Sequence, residues 1–235
     1  MTIPLKLRLS HNPVDAAGLY RLMAWFSPGF PTGAFSYSSG LEWAVEAGDV
    51  TDEYTLRAWI EVVIREGSGF CDAVFFVHAY RAAAQRDGAH LRSVIDLVLA
   101  FAPTKEKYLE TTAQGRAFYD TVRSAWPAEA LGHVDGEIAL PIAVALACAG
   151  HGIPEKPALA CMLQAYAANL VSAGVRLIPL GQTQGQRLLA QLDLMVLATA
   201  ERASSTSLDD IGTIAFRADL ASMHHEAQYT RLFRS

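Results

Sequence analysis

The chain has 235 residues, with 19 basic and 24 acidic side chains, which gives a formal net charge of −5 at neutral pH. Hydrophobic residues make up 51% of the chain and charged residues 18%, so it can bury a sizeable core, and this composition argues against intrinsic disorder. It lacks the concentrated positive charge that nucleic-acid-binding proteins use, which argues against nucleic acid as a partner.

Helical periodicity recurs along most of the chain, with apolar residues at spacings of three and four. We find no run of alternating β-branched residues that predicts a strand, and no repeat of fixed period. The sequence therefore predicts an all-α fold, a single domain over residues 1–235 with about eight to ten helices. The helices predicted in chain order span residues 53–67, 72–86, 91–102, 104–126, 138–150, 157–174 and 184–199, and a less regular helical region follows from Leu208.

Residues 1–10 alternate apolar with basic residues and contain no long hydrophobic run, so we do not expect them to act as a signal peptide. The three cysteines, Cys71, Cys148 and Cys161, lie far apart and form no CxxC pair. An odd and sparse set of cysteines predicts no disulfide framework and suits a reducing cytosol. We therefore expect a cytoplasmic protein in which the cysteines are small buried residues.

One stretch has nearly the length of a membrane span. Residues 157–175 carry no charge and approach the roughly 20 residues that cross a bilayer. Polar side chains interrupt the stretch, among them Gln164 and Asn169. We interpret it as a helix at the centre of a large α-helical protein, and we expect no membrane association.

No motif for catalysis or for metal binding is present. The chain lacks a P-loop, an HExxH, a GxSxG and a cluster of Cys and His ligands. His224 and His225 are adjacent, so on a helix they point about 100° apart and do not both face one metal ion. His78 lies in an apolar pattern and is interpreted as a hydrogen-bonded core or interface residue. We therefore predict no catalytic residue, no metal ligand and no cofactor, although a triad assembled only by the fold stays open.

Three segments carry unusual residue combinations. Residues 26–42 contain two prolines and a series of glycines and aromatic residues, typical of a structured turn. Arg176 lies between apolar residues shortly before Pro179, and must find a carboxylate, helix carbonyl groups or a partner. Residues 225–235, which we call the C-terminal segment, end in residue types that anchor protein interfaces. Docking of this segment on the chain's own core is the alternative.

Together these segments resemble the UreF family of urease accessory proteins, over nearly the full length of the chain. Residues 27–42 (the first motif) resemble the family's S-P-x-x-P-x-G-G-F-S-Y-S segment and the G-L-E after it. Residues 176–183 (the second motif) resemble its R-L-x-P-L-G-Q-T segment, and residues 225–233 resemble its H-E-x-Q-Y-x-R-L-F ending. Ala34 departs from the pattern, because the family usually has a second glycine there, which leaves open the backbone conformation at this position.

The resemblance implies an all-α, cytosolic, dimeric scaffold with no catalytic activity of its own. Members of the family bridge the accessory protein UreD, also called UreH, and the GTPase UreG, and the assembly delivers nickel to apo-urease. In the family the C-terminal segment is mobile in the free protein and becomes ordered on binding. Residues 225–235 are therefore expected to depend on a partner for their order, and a homodimer is implied as well.

Carried over residue by residue, the resemblance places partner binding mainly in the C-terminal segment. Tyr229 and Phe233 are expected to be apolar anchors, and Arg231 to donate hydrogen bonds to a partner's carboxylate or carbonyl groups. The expected partner-binding residues are His225, Glu226, Gln228, Tyr229, Arg231, Leu232, Phe233, Arg176 and Gln182. The residues of the first motif that are expected to be structural are Pro28, Pro31, Gly33, Phe35, Ser36, Tyr37, Gly40 and Glu42.

Two other functions stay open at this point. The first is regulation of the partner GTPase, in which Arg231, Arg234 or Arg176 is inserted to stimulate GTP hydrolysis; such arginines accelerate hydrolysis by roughly 10³-fold or more. The second is a nickel carrier in its own right, which the lack of clustered Cys and His residues disfavours.

Overall fold

The computed structural model describes residues 13–128, 131 and 134–235, so residues 1–10, interpreted above, lie outside the described part of the chain. Within it the chain forms helices and no β-strand, and ten of the α-helices have ten residues or more, which confirms the all-α prediction. The α-helices are α1 (Ala16–Trp25), α2 (Leu41–Glu46), α3 (Glu53–Glu66), α4 (Ser68–Gln85), α5 (Gly88–Ala100), α6 (Lys105–Ala125), α7 (Leu140–Gly150), α8 (Glu155–Leu177), α9 (Gln182–Gln191), α10 (Asp193–Ser204) and α11 (Phe216–His225), and short 3-10 helices cover Ala34–Ser36 and Leu208–Asp210.

The start of α3 was predicted correctly and that of α4 was not. Asp52 accepts the backbone N–H of Thr55 at 2.8 Å, and the Thr55 hydroxyl accepts the N–H of Asp52 at 3.0 Å, which forms a reciprocal cap. We expected α4 to begin at Asp72, but it begins at Ser68, because Gly67 alone makes the turn between the two helices. Asp72 therefore lies inside α4 and caps nothing.

The region predicted as one helix over 184–199 is two helices. α9 ends at Gln191 and α10 begins at Asp193, with Leu192 between them. The apolar stripe hides this break, because Leu188, Leu192 and Val196 are all buried in the same core. α1 had no predicted counterpart, since it buries only three residues and leaves three other large apolar side chains exposed.

α4 and α7 form the centre of the molecule, and the other helices pack around them. α7 packs against α4, α6 and α8, and it buries eight consecutive residues from Pro141 to Cys148. α8 is the one helix of the described residues that is long and apolar enough to cross a membrane, and half of its most apolar stretch is buried inside the protein. A core helix passes the same test, so this property is weak evidence for a membrane span.

The cysteines and His78 differ in how deeply they are buried. Cys71 and Cys148 are buried, whereas Cys161 is partly exposed. Burial raises the pKa of the Cys71 thiol to about 12, so this thiol is neutral at physiological pH. His78 is hydrogen-bonded as predicted, with Nε2 3.0 Å from the carbonyl oxygen of Thr206.

A close helix crossing brings α11 against the start of α2. Gly40, directly before α2, has φ = 80°, in the left-handed region that favours glycine. A Cβ atom at this position would lie 2.8 Å from the backbone nitrogen of Ser222 in α11. Gly40 is therefore required both by its backbone conformation and by the approach of α11.

We predict that Gly40→Ala destabilises the protein more than Gly48→Ala does. Gly48 has nearly the same φ, 79°, but no atom lies within 4 Å of a Cβ placed there. Gly48→Ala should therefore cost only the backbone strain, about 1 kcal/mol of unfolding free energy. Gly40→Ala adds a steric overlap with backbone atoms, which costs about 1–3 kcal/mol more. Urea unfolding followed by circular dichroism measures both, and equal losses would show that the approach of α11 is not tight.

Candidate functional site

The C-terminal segment folds back onto the chain's own core. Phe233 is only 4% exposed. The backbone N–H of Arg234 donates to the carbonyl oxygen of Ser36 at 2.8 Å, and that of Ser38 donates to the carbonyl oxygen of Ser235 at 2.7 Å. Of the two possibilities that the sequence left open, the structure therefore has the end of the segment docked within the same chain, against the first motif.

One carboxylate, that of Glu42 in α2, holds the docked segment. Its Oε1 accepts the backbone N–H of Leu232 at 2.6 Å, and its Oε2 accepts that of Phe233 at 2.9 Å. The same Oε2 lies 3.0 Å from Nε2 of His225. Glu42 is 7% exposed, so these contacts replace most of the water that it would otherwise bind. Glu42 thus joins the first motif to the C-terminal segment.

His225, the last residue of α11, lies between two carboxylates. Its Nδ1 is 2.8 Å from Oε2 of Glu106, and the ring is completely buried. Each nitrogen of the imidazole ring thus lies within hydrogen-bond distance of one carboxylate oxygen, so the ring joins Glu42 to Glu106. Arg231 then donates to Oε1 of Glu106 at 2.9 Å. Burial raises the pKa of Glu106, against the lowering effect of His225 and Arg231.

A second polar cluster lies one turn further along α6, around Glu110. Glu110 accepts hydrogen bonds from the hydroxyls of Ser235 at 2.7 Å and of Ser39 at 3.0 Å. The ammonium of Lys107 is 3.7 Å from Glu110 and 4.0 Å from Asp72. Two neighbouring cavities of about 40 and 20 Å³ border Lys107, and each has room for water. The last residue of the chain therefore contacts a buried network that continues into α4.

Burial acts in opposite directions on the pKa values of Asp72 and Lys107. Burial raises the pKa of Asp72 to about 6; the positive charge of Lys107 lowers it and the charge of Glu110 raises it further. Burial lowers the pKa of Lys107, but Glu110, Tyr166 and Asp72 outweigh burial and leave that pKa raised. Lys107 is therefore charged across the physiological range, whereas Asp72 changes its charge near pH 6.

Arg176 connects the three unusual segments of the sequence. Its guanidinium lies between two aromatic rings, 3.8 Å from the centroid of Phe35 and 4.2 Å from that of Phe233. It also donates to the carbonyl oxygens of Ser172 at 3.2 Å and of Phe35 at 3.0 Å. The prediction that this arginine finds helix carbonyl groups is thus confirmed for Ser172 in α8, and the two aromatic contacts were not foreseen.

Of the remaining residues predicted to bind partners, most are exposed and Phe233 is buried. Tyr229 is fully exposed and Leu232 is 65% exposed, so both are available to a partner. Phe233, which we expected to be an anchor for a partner, is buried in the chain's own core in this conformation. Glu226 and Gln182 are exposed, and Gln228 is partly buried.

The first motif forms a structured turn. Its two prolines, Pro28 and Pro31, are exposed, whereas Tyr37 is buried. Gly33 has φ = 74° and takes the left-handed conformation, and Ala34 follows it as the first residue of a 3-10 helix. Alanine is therefore accommodated where the family usually has a second glycine.

Sequence reasoning missed Glu106, Lys107 and Glu110, which occur close together in α6. Alternating charges of this kind are typical of a solvated helix face. In the structure Glu106 and Glu110 are buried, at 6% and 4% exposure. The neighbouring threonines of α6 were a possible signal, because a helix face lined with hydroxyl groups can support buried charges.

α11 carries an exposed apolar ridge that was not predicted either. Phe216, Leu220 and Met223 are 67%, 50% and 48% exposed, and their spacing of four and three residues places them on one helix face. Ile214, just before α11, is 68% exposed. Apolar residues at this spacing usually face the core, so an outward ridge is typical of an interaction surface. The outer ridge of α11 comprises these four residues.

We found no metal centre in the part of the chain that the structure describes: no three His, Cys, Asp or Glu side chains are grouped to hold an ion there. The nearest arrangement, Glu42–His225–Glu106, uses both imidazole nitrogens for carboxylates. The site can therefore hold a peptide segment through charge-assisted hydrogen bonds.

We predict that Asp72→Asn gains stability relative to the unchanged protein as the pH rises. The pKa of Asp72 is about 6 in the folded state, against a usual value of 3.8, so the stabilisation that the bound proton provides is lost as the pH rises from about 4 to about 6. Asparagine does not ionise, so the variant avoids this loss. The unfolding free energy of the variant minus that of the unchanged protein should therefore rise by about 1 kcal/mol between pH 5 and pH 7.5. Urea unfolding at both values measures this, with Asp96→Asn as the control, and a constant difference would contradict it.

Comparison with known proteins identifies the family of the chain. The sequence profile of UreF matches residues 50–193, more than half of the chain. The chain is 57% identical to the urease accessory protein UreF of Rhodopseudomonas palustris strain BisB5 over 225 residues, which cover 94% of this chain and 93% of the relative. It is 54% identical to the urease accessory protein UreF of Bradyrhizobium diazoefficiens, again over 94% and 93% of the two chains. The resemblance found in the three segments is thus confirmed, and the chain belongs to the UreF family of urease accessory proteins.

Proposed function

We propose that this protein is a non-enzymatic scaffold of urease maturation, which bridges UreD (UreH) and the GTPase UreG and so supports nickel delivery to apo-urease. Membership of a family of urease accessory proteins supports the role in maturation. The observation that favours a scaffold is the exposed apolar surface of α11 and the C-terminal segment, because such surfaces mark protein interaction sites.

The proposed interface combines two neighbouring parts. The outer ridge of α11 provides aliphatic and aromatic area, and the C-terminal segment adds Tyr229 and Leu232 as exposed anchors. His225 fixes the end of α11 through its two carboxylates, so it positions the start of the segment. Glu226, Gln228 and Gln182 would then contribute polar contacts around these anchors.

The surroundings of this scaffold are proposed from the family resemblance. The protein is proposed to act in the cytoplasm and to form a homodimer, and neither a metal nor a cofactor is assigned to the chain itself. The charge of −5 supports partners other than nucleic acid. Residues 225–235 are proposed to depend on a partner for their order, within a single domain that spans residues 1–235.

We predict that Tyr229→Ala and Leu232→Ala weaken capture of UreD (UreH) without changing the fold. Each truncation removes an exposed anchor, and anchors of this kind contribute about 1–2 kcal/mol, or roughly tenfold in affinity. Tyr54→Ala in α3 is the matched control, because Tyr54 is 80% exposed and lies outside the proposed interface. Pull-down with purified UreD (UreH) and UreG, with and without GTP, measures the effect. Equal capture by all three variants would contradict the proposed interface.

A second candidate function is stimulation of the GTPase by an arginine. The side chain of Arg231 is 40% exposed even though it pairs with Glu106, so its guanidinium is accessible from solvent. Arg176 is a weaker candidate, since two rings and two carbonyl oxygens already surround it. Arg234 is exposed and is the other candidate.

Single-turnover GTP hydrolysis by UreG separates the two functions. If Arg231 acts on the nucleotide, Arg231→Lys should reduce the stimulated rate by about 10³-fold even when the complex is saturated, because lysine does not replace the planar guanidinium. If the protein is a scaffold, the variant changes the concentration needed for complex formation and leaves the saturated rate unchanged. Arg187→Lys in α9 is the control.

A further inference from the structure

We infer that docking of a partner on the outer ridge of α11 is coupled to proton uptake by an acidic cluster beneath that helix, so that the complex forms more tightly at mildly acidic pH than at neutral pH. The inference rests on the proposed function for the existence of that partner, and it adds how the same interface is regulated. The Lys107 cluster comprises Asp72 in α4, Lys107 and Glu110 in α6, and Asp219 in α11.

One ammonium group meets three carboxylates in this cluster. Nζ of Lys107 lies 3.7 Å from Glu110 and 4.0 Å from Asp72. Within the described residues, no hydrogen-bond donor contacts the carboxylate of Asp72 or that of Asp219. Two negative charges are therefore in excess when all three carboxylates are ionised. Burial makes such an excess costly, which favours binding of a proton.

The two cavities described above give this cluster its access to water. Lys107 and Asp219 line both cavities, and Asp72 lines the larger one. Hydroxyl groups of Ser68 and Thr213 line the larger cavity as well. Water that enters these cavities can donate to the two carboxylates that the protein leaves without donors. The ionised form of the cluster therefore depends on hydration of the cavities.

Asp219 connects the cluster to the outer ridge. It comes three residues after Phe216 and four before Met223, so it shares a side of α11 with both, at the edge of the ridge. Its side chain is partly buried. The hydroxyls of Ser222 and Thr104, 2.8 Å apart, hold α11 against the start of α6. A partner that covers the ridge therefore also excludes water from Asp219.

The direction of the coupling follows from this loss of water. Dehydration disfavours the charged form of a carboxylate, so docking raises the pKa of the cluster and favours uptake of a proton. In the free chain, burial already raises the pKa of Asp72 to about 6. Burial likewise raises the pKa of Asp219, against the lowering effect of Lys107. The contribution of the proton to binding is thus complete below about pH 6 and is lost as the pH rises above it.

The other ionisable groups that face the cluster keep their charge near neutral pH. Burial raises the pKa of Cys71 in α4 and that of Tyr166 in α8, so both are neutral, and Lys107 stays charged. The remaining basic side chains of α11 meet other parts of the protein: Arg217 pairs with Asp49, His224 stacks on Trp43, and His225 lies between Glu42 and Glu106.

The first experiment titrates the isolated full-length chain. Carbon-13 NMR of the aspartate carboxyl groups, assigned with the variants Asp72→Asn and Asp219→Asn, follows the protonation of the cluster directly. We expect at least one of these two carboxyl groups to titrate with a midpoint of about 6. Midpoints of about 4 for both groups, the usual value, would overturn the inference whatever the partner does.

The second experiment measures binding of purified UreD (UreH) by titration calorimetry in phosphate and in Tris buffer at the same pH. The difference in heat between the two buffers gives the number of protons taken up. We expect roughly half a proton per complex at pH 7. The dissociation constant should be roughly fivefold lower at pH 6 than at pH 7.5, which corresponds to a rise of about one pKa unit on docking.

The decisive variant combines Asp72→Asn with Asp219→Asn. It leaves Lys107 and Glu110 as a balanced pair, so the proton uptake should disappear. Asp96→Asn is the matched control, because Asp96 is an exposed aspartate of α5 outside the cluster. It should keep the uptake of the unchanged protein. Asp219→Asn alone replaces the double variant if that does not fold, and it should reduce the uptake.

Three outcomes separate the coupling from the proposed function. Binding of the unchanged protein without proton uptake would overturn the coupling while the proposed scaffold stands. Equal uptake by the double variant and by Asp96→Asn would overturn it as well, because the proton would then bind outside the cluster, at His224 or on the partner. Absence of binding by every variant would contradict the proposed function and the coupling with it, although the titration of the isolated chain would still establish the cluster.

Discussion

The arrangement of the proposed interface depends on one buried carboxylate, that of Glu42. Three donors from two parts of the chain converge on it: the ring of His225 and the amides of Leu232 and Phe233. A buried carboxylate without partners is costly, and each donor removed leaves the others poorly matched. The end of α11, the path of the C-terminal segment and the start of α2 are therefore fixed together.

Charge balance explains why this network can be buried. Two carboxylates, Glu42 and Glu106, face two basic side chains, His225 and Arg231, so every acidic group of the network has a basic neighbour. Such networks are weak sources of net stability, but they reject alternative arrangements, because any misplacement leaves a charge unpaired. The apolar core around α4 and α7 provides most of the buried area. The charged network determines how α11 and the C-terminal segment are positioned on that core.

The helical class and several boundaries follow from local sequence. The start of α3 at Glu53 follows from the sequence, and the three unusual segments predicted the family. The burial of Glu106 and Glu110 could not be predicted, since it depends on side chains that lie 119 or more positions further along the chain. The docking of Phe233 could not be predicted either, because the same residue types anchor a segment on its own core or on a partner.

Arg176 stacks between Phe35 and Phe233, so three positions that lie far apart in the sequence depend on one another. We expect their substitutions to be linked during evolution. A planar guanidinium fits between two rings and a lysine ammonium does not. Replacing Arg176 with lysine, although it keeps the charge, would therefore remove the stacking contacts with Phe35 and Phe233. Substitutions at these positions should accordingly occur in matched sets across related sequences. A pairwise comparison that scores each column separately would overlook this dependence.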